Sequence, residues 1–262
     1  MRVLVVTAVA AEADSVAAGL DRFAGSGVRE LTGGYEITGH AQYMPRPGSV
    51  QIPVVDVLAG GVGPTAAAVA TATALAASPY DPPYHLVISA GIGGGFRHRA
   101  PVGSLVVADR IVAADLGAES ADGYLPVEEL GFGRSVHRPP AELTARIAKL
   151  LDAAPADGTT DGDGTTPRGR TLLAPVLTVS TATGTAARAA ELTARHPLAA
   201  AEAMEGFGVA EAAAVHSVPC VEIRAVSNAV GPRDRDSWEI GRALEALRYA
   251  FTLLTPVFEE PS

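Results

Sequence analysis

Short runs of apolar and β-branched residues alternate with alanine-rich stretches along the chain, and this alternation constrains the fold more than any other feature. Strands that alternate with helices form a largely parallel sheet covered by helices on both faces. The predicted elements include strands at 3–6, 85–90 and 221–226 and helices at 65–77, 140–153, 205–216 and 237–254. We therefore predict an α/β protein of one domain over residues 1–262, a three-layer α/β/α fold with a central mixed, mostly parallel twisted sheet. Ligands of such folds bind at the carboxyl ends of the strands.

The composition excludes several classes of protein. The net charge is −9, from 20 basic and 29 acidic residues, and no basic cluster offers a surface for nucleic acid. The apolar runs are too short for a membrane span, and the N-terminal run is followed by acids, unlike a secretory signal. Cys220 is the only cysteine, which excludes an intrachain disulfide framework and fits a reducing compartment. We expect a cytoplasmic protein that binds neither nucleic acid nor membrane.

One segment differs in composition from the rest of the chain. Residues 156–170 consist largely of Gly, Thr, Asp and Pro, and no large apolar residue anchors them. Their alternating acids suggest a calcium loop only weakly, because the glutamate that closes such a loop is absent. We predict a flexible surface loop within the domain, without a catalytic part.

A glycine-rich run, SAGIGGG at 89–95, follows the predicted strand at 85–90. A dinucleotide-binding fingerprint would require a helix directly after it, and the sequence FRHRAP that follows is not helical. Two interpretations stay open at this point. The run forms a tight turn, or its backbone approaches a flat ligand closely, which only glycine permits.

Three further features carry polar groups near predicted strand ends: Glu12 after the first strand, AMEGFGV at 203–209 and RAVSN at 224–228. Each has an ordinary structural explanation, such as a glutamate at a helix start or a turn after a strand. Together with SAGIGGG, in this order, they resemble the purine nucleoside phosphorylase/hydrolase superfamily. The resemblance covers nearly the whole chain and is greatest to the 5′-methylthioadenosine/S-adenosylhomocysteine nucleosidase branch.

The resemblance implies a role for each matched residue. Glu12 matches the glutamate that positions and activates the attacking water, and Glu205 matches the one that binds the ribose 2′- and 3′-hydroxyls. The substrate-contacting residues that it implies are Ala90, Gly91, Ile92, Met204, Glu205, Phe207 and Trp238. It implies neither a metal nor an organic cofactor, a small-molecule purine nucleoside as substrate, and a homo-oligomer, a dimer or larger.

Asn228 departs from the nucleosidase pattern, which has an aspartate that protonates the purine at N7. A 6-oxopurine presents acceptors at both N7 and O6, so an ionised carboxylate would repel it, whereas an amide N–H donates to either acceptor. Asn228 therefore favours a hypoxanthine-type base, and we assign it a catalytic role beside Glu12. The segment 227–238 resembles that of the futalosine hydrolase family, which implies release of hypoxanthine and dehypoxanthine futalosine from futalosine in menaquinone biosynthesis.

Water is a better nucleophile than phosphate for this sequence. The segment 7–14 has two acids and no basic residue, whereas phosphorolysis requires cations around its anionic nucleophile. A carboxylate such as Glu12 is what a water nucleophile needs as an acceptor for its proton. Three alternatives stay open: a methylthioadenosine/S-adenosylhomocysteine nucleosidase, a phosphate-using purine nucleoside phosphorylase, and a non-catalytic nucleoside-binding protein.

Overall fold

The computed structural model of the protein describes residues 1–42, 53–77, 83–153 and 170–259. The strands are β1 (Arg2–Thr7), β2 (Phe23–Glu30), β3 (Glu36–Gln42), β4 (Val54–Ala59), β5 (Leu86–Gly95), β6 (Leu105–Ala113), β7 (Gly117–Ser120), β8 (Gly123–Pro126), β9 (Val136–His137), β10 (Thr171–Thr178), β11 (Ala201–Ala203) and β12 (Cys220–Ala229). The helices are α1 (Ala10–Gly19), α2 (Pro64–Ala76), α3 (Ala141–Asp152), α4 (Ala186–Arg195), α5 (Gly206–Val215), α6 (Ile240–Leu253) and α7 (Thr255–Phe258), with a 3₁₀ turn at Arg235–Ser237. The loop predicted at 156–170 lies outside the described residues, apart from Arg170.

The central sheet is mixed, and its strands follow the order β11-β10-β6-β12-β5-β1-β4-β3-β2. Parallel pairs join β12, β5, β1 and β4, and likewise β6, β10 and β11. Antiparallel pairs join β6 to β12 and add β3 and β2 at the edge. The inner strands are rich in Val, Ile and Leu because helices cover both of their faces.

Two helical layers enclose this sheet. Helices α1, α3 and α6 pack on one face, in a core that includes Val16, Ile147 and Leu247. Helices α2 and α5 pack against each other on the opposite face, where Ala67 and Val209 are fully buried. The alanine-rich sequence of α2 and α5 allows this close packing of helix on helix. The predicted three-layer α/β/α fold is confirmed, and within the described ranges no helix is long and apolar enough to cross a membrane.

The short strand β11 closes one half of the sheet on itself. It pairs in parallel with β10 and in antiparallel with β5, opposite Gly94 and Gly95. Strands β5, β12, β6, β10 and β11 thereby form a ring. The ends of β5, β11 and β12 meet on one side of this ring, next to the carboxyl end of β1.

The glycine run 91–95 is the chief difference from the sequence-based expectation of a turn. These residues continue β5 as a strand, because β12 pairs along one side of them and β11 pairs with the last two on the other. The predicted helix at 237–254 also begins later, at Ile240, after the 3₁₀ turn. The strands β2, β3, β7, β8, β9 and β11 were not predicted from the sequence.

Candidate active site

A cavity of about 340 Å³ lies where β1, β5, β11 and β12 end. This volume is in the range of sites that hold small molecules. Its lining comprises Ala8, Val9, Glu12, Val62, Ile92, Gly93, Gly94, Ala182, Thr183, Glu202, Ala203, Met204, Glu205, Ser227, Asn228, Ala229, Val230, Gly231, Pro232, Arg233 and Trp238. The cavity thus brings together Glu12, Met204, Glu205, Asn228 and Trp238, which are widely separated in the sequence.

Glu12 lies in the first turn of α1 and is 3% exposed. Its Oε2 accepts hydrogen bonds from the backbone N–H groups of Ala8 and Val9 at 2.9 and 3.2 Å, and its Oε1 accepts one from Ile92 at 2.8 Å. Three backbone donors from two elements therefore fix the carboxylate at the cavity wall. Oε1, which accepts a single hydrogen bond, retains acceptor capacity for a water molecule.

Glu205 immediately precedes α5 and belongs to a buried charged network around Arg224. Its Oε2 lies 3.2 Å from Arg224 Nη1, and its Oε1 accepts a hydrogen bond from the Gly63 N–H at 3.2 Å. Arg224 Nε donates to Glu222 at 2.8 Å, and Nη2 donates to Ser89 Oγ at 2.9 Å. Arg224 is fully buried, so this network holds Glu205 against the cavity.

Arg224 stays charged in this setting. Burial by itself would lower the pKa of its guanidinium, but the carboxylates of Glu222, Glu205 and Glu12 outweigh that effect and raise it. Three acids thus surround one cation; burial raises the pKa of the Glu222 carboxyl, and the other two acids line the cavity. Their negative charge repels an anionic nucleophile and suits water.

Gly91 separates Glu12 from Arg224. A Cβ at this position would lie 2.6 Å from Glu12 Oε1 and 2.7 Å from Arg224 Nη1, both too close for non-bonded contact. The glycine is therefore required by two protein side chains, whereas the sequence indicated a turn or contact with a flat ligand.

Asn228 lies near the carboxyl end of β12 and is half-buried. The Ser227 hydroxyl donates to Asn228 Oδ1 at 2.8 Å, and Asn228 Nδ2 donates to the Ala229 carbonyl at 3.1 Å. The serine therefore occupies the acceptor end of the amide. The second N–H of Nδ2 has no protein acceptor among these contacts, so the amide can donate to a ligand in the cavity.

Glu202, on β11, contributes a further carboxylate to the cavity and is 6% exposed. The Thr183 backbone N–H donates to its Oε1 at 2.8 Å, and the Thr183 hydroxyl donates to its Oε2. Burial raises the pKa of Glu202, although the hydrogen bonds from Thr183 and the charge of Arg188 act in the opposite direction.

Trp238 and Arg233 form another part of the cavity wall. The guanidinium carbon of Arg233 lies 5.2 Å from the centroid of the Trp238 ring, a cation–π arrangement. Trp238 precedes α6 and is only half-buried, so it is not a core residue that opens the last helix. Among the cavity-lining residues within the described part of the chain, Arg233 is the only basic one.

Some residues expected at the site do not line this cavity. Ala90 and Gly91 are buried in β5, one and two residues before Ile92, which does line it. Phe207 is 8% exposed, and its ring packs against His137 with the centroids 5.1 Å apart. Its position in a core cluster, beside Ala203 and Ala210, explains this aromatic residue without any substrate contact.

The sequence interpretation assigned no role to Glu222, Arg224, Glu202 or Thr183. The first two carried a usable signal, since CVEIRAV is an apolar strand interrupted by opposite charges two residues apart. Residues at that spacing share one face of a strand, and buried charges must be paired. Glu202 lies among alanines, and nothing in its local pattern distinguishes it from a surface residue.

Comparison with known proteins identifies the family of the chain. Residues 4–252 match the family model described as the phosphorylase superfamily. The chain is 59% identical over 205 residues to the futalosine hydrolase of Streptomyces coelicolor, covering 78% of this chain and 80% of that protein. It is 42% identical over 258 residues to the futalosine hydrolase of Acidothermus cellulolyticus, covering 96% and 89%.

A solved structure extends the agreement to the fold. The native structure of the futalosine hydrolase of Helicobacter pylori covers 98% of each chain with a TM-score of 0.74, at 16% identity, and at this identity the likeness concerns the fold alone. The family is established by the sequence identity of 59% and 42% to the two futalosine hydrolases above. The chain belongs to the phosphorylase superfamily and, within it, to the futalosine hydrolases, which are N-glycosyl hydrolases.

Proposed function

We propose that this protein hydrolyses the N-ribosidic bond of futalosine and releases hypoxanthine and dehypoxanthine futalosine, a step of menaquinone biosynthesis. Its family membership supports the reaction. The observation that carries the proposal for this chain is that Glu12 and Asn228 line one cavity. Glu12 provides a carboxylate to activate water, and Asn228 provides an amide donor for a 6-oxopurine. Residues 1–262 act as one catalytic domain, which is supported by the single large sheet that links β1 to β12.

The carboxylate of Glu12 orients a water molecule and accepts its proton, on the face of the sugar opposite the base. Glycoside cleavage passes through an oxocarbenium-like transition state, so the sugar must be held in register with this water. Glu205 provides that alignment by accepting hydrogen bonds from the ribose hydroxyls, with Met204 packed against the sugar. The network around Arg224 keeps the Glu205 carboxylate in place.

Asn228 stabilises the departing base. As the bond to the anomeric carbon breaks, negative charge develops on the purine at N7 and O6. A fixed N–H donor in a partly water-excluded cavity stabilises that charge more than bulk water does. The Ser227 hydroxyl on Asn228 Oδ1 favours the orientation in which the amide N–H faces the ligand.

Hydrolysis is favoured over phosphorolysis by the charges around Glu12. Arg224 is engaged by Glu205, Glu222 and Ser89, and Arg233 lies in the part of the wall formed with Trp238. A phosphate ion would therefore approach the Glu12 carboxylate without an unengaged cation next to it among the described residues that line the cavity.

The test is to incubate purified protein with futalosine, inosine and methylthioadenosine, each with and without phosphate, and to quantify the released base and sugar. We expect hypoxanthine from futalosine at a rate that phosphate does not change. Faster cleavage of methylthioadenosine would identify the nucleosidase alternative. Formation of a ribose 1-phosphate would identify a phosphorylase, and binding without any turnover would identify a non-catalytic protein.

We also propose a cytoplasmic homo-oligomer, a dimer or larger. The single cysteine is the support for a cytoplasmic location. Exposed apolar residues near the cavity support a second copy of the chain: Val9 is 43% exposed, Val62 57% and Val69 on α2 52%. Light scattering coupled to size exclusion should give at least twice the 26.6 kDa chain mass, and Val69→Lys should lower the measured mass.

A further inference from the structure

The carboxylate of Glu202 has no part in the mechanism above, although it lines the same cavity as Asn228. These two residues flank Gly94 on β5. Glu202 pairs with Gly94 across the β11–β5 ladder, and Asn228 pairs with Gly94 across the β12–β5 ladder. Directly paired residues of neighbouring strands project from the same face of a sheet. Glu202 and Asn228 therefore stand on one face with a glycine between them.

Gly94 lines the cavity between these two residues and has no side chain. The Asn228 amide leans over it, because a Cβ at Gly94 would already lie 3.3 Å from Asn228 Nδ2 and 3.0 Å from Val230 Cγ2. Strands are spaced by about 4.8 Å, so the backbones of Glu202 and Asn228 lie about 10 Å apart, on either side of Gly94. The two polar side chains therefore border the same part of the cavity wall from opposite sides.

The chemistry of the two groups matches one edge of a 6-oxopurine. This edge presents a donor at N1–H followed by acceptors at O6 and N7. Asn228 supplies the donor for O6 or N7, which leaves N1–H in need of an acceptor. Both oxygens of Glu202 accept from Thr183, but each carboxylate oxygen has a second lone pair.

We propose that Glu202 is a specificity-determining residue that accepts the hydrogen bond from N1–H of the base, opposite the Asn228 amide. The inference rests on the proposed function, since it concerns how the same site recognises a 6-oxopurine. Thr183 acts as a positioning residue that holds the Glu202 carboxylate with two hydrogen bonds. A 6-aminopurine has an acceptor at N1, which an ionised Glu202 would repel.

The competing explanation is structural: Glu202 anchors the loop before α4 through Thr183 and does not touch the substrate. The variant Glu202→Gln separates the two explanations, because its amide retains the length of the side chain and can still bind Thr183. With its oxygen held by the Thr183 N–H, the amide N–H₂ faces N1. Thr183→Val is the matched control, since it removes the hydroxyl that anchors Glu202 and retains the carboxylate.

The measurement is kcat/KM for futalosine and for its 6-amino analogue, with the unfolding midpoint of each variant. We expect Glu202→Gln to lower kcat/KM for futalosine about 100-fold, because a buried amide donor would then face the N1–H donor of the base. The kcat/KM for the 6-amino analogue should be unchanged or higher. Thr183→Val should lower kcat/KM for futalosine by a smaller factor than Glu202→Gln, because the carboxylate is still present. An equal loss on both substrates in Glu202→Gln would overturn the inference.

A second measurement uses the wild-type protein alone and does not depend on the folding of a variant. Futalosine methylated at N1 lacks the donor, so the wild type should cleave it at least 100-fold more slowly than futalosine. Comparable rates would show that N1 faces open space and would overturn the inference. Wild-type cleavage of futalosine itself tests the proposed function separately. If only the 6-amino analogue is cleaved, the proposed function fails, and with it the assignment of Glu202.

Discussion

Two buried ion-pair clusters, on different parts of the same sheet, differ in charge balance and in surroundings. Near the amino end of β1, Arg2 Nη2 lies 2.8 Å from Asp56 Oδ2, the Tyr84 hydroxyl donates to the same oxygen at 2.5 Å, and Arg29 lies 3.9 Å from it. There, two cations share one carboxylate. Around Arg224, three carboxylates share one cation, and two of them line a cavity.

The comparison shows that burial of an ion pair does not by itself indicate a functional site. Both clusters are desolvated, and a desolvated pair can serve structure alone. The cluster around Arg224 differs in having more acidic than basic residues, beside a cavity that a ligand can enter. The following variants test whether this difference separates catalysis from stability, and they run from the largest expected loss of activity to the smallest.

Glu12→Gln should lower kcat by 10²–10⁴-fold, the usual contribution of a general base, while the nucleoside still binds. The fold should remain intact, because glutamine keeps the length of the side chain. The measurements are steady-state hydrolysis of futalosine and calorimetric binding. Asp14→Asn alters an exposed acid of the same helix and should leave kcat unchanged. If Glu12→Gln retains more than a tenth of the wild-type rate, Glu12 is not the base.

Asn228→Asp should lose about 100-fold or more on futalosine near neutral pH, since an ionised carboxylate would face acceptors at O6 and N7. The same variant should gain relative activity on the 6-amino analogue of futalosine, and more so at low pH, where the carboxyl group carries a proton. Rates on both substrates across pH measure this. If the ratio of the rates on the two substrates is the same in wild type and variant, Asn228 does not determine the preference for the base.

We predict that Arg233→Ala raises KM for futalosine about tenfold, because the aromatic tail of futalosine carries a carboxylate and Arg233, which lies on Trp238, is the basic residue of the described cavity lining. Inosine lacks that tail, so its KM should not change, and Arg235→Ala in the adjacent 3₁₀ turn is the matched control. Trp238 is the only tryptophan, so its fluorescence should respond to saturating futalosine. An unchanged spectrum together with an unchanged KM would place the tail elsewhere.

Asp56→Asn should leave kcat for futalosine unchanged and lower the free energy of unfolding by about 3 kcal/mol, since it leaves Arg2 buried beside an uncharged partner. Denaturant titration and steady-state kinetics measure the two quantities. Glu245→Gln removes one partner of an exposed pair with Arg248 and should not shift the unfolding midpoint. A loss of kcat in Asp56→Asn would mean that the two clusters are coupled.

The sequence was sufficient for the layers of the fold, because these depend on local signals: periodicity placed the inner strands and the helices. The proposed site residues Glu12, Glu205 and Asn228 were predicted from the family resemblance, and all three line the cavity. The base-facing carboxylate was not found, because Glu202 acquires its position through the pairing of β11 with β5. That pairing joins residues more than a hundred positions apart, and no local pattern reports it.

The interpretation of the glycine run as a turn was wrong for a related reason. Glycine has little preference for strands, so GIGGG favours a turn when it is considered alone. In the structure, the space that side chains would occupy is taken by Glu12 and Arg224 at Gly91 and by Asn228 and Val230 at Gly94. Tertiary packing overrides local propensity at these positions.

The two faces of β5 also bear on how enzymes of this architecture can diverge. Gly91 faces Glu12 and Arg224, which the proposed function assigns to water and sugar, whereas Gly94 faces Asn228, which it assigns to the base. Substitutions that alter base preference therefore lie on the other side of the strand from the groups proposed to bind water and sugar. An ancestral enzyme could exchange one nucleobase for another through a few changes on one surface, with its glycosidic chemistry inherited intact.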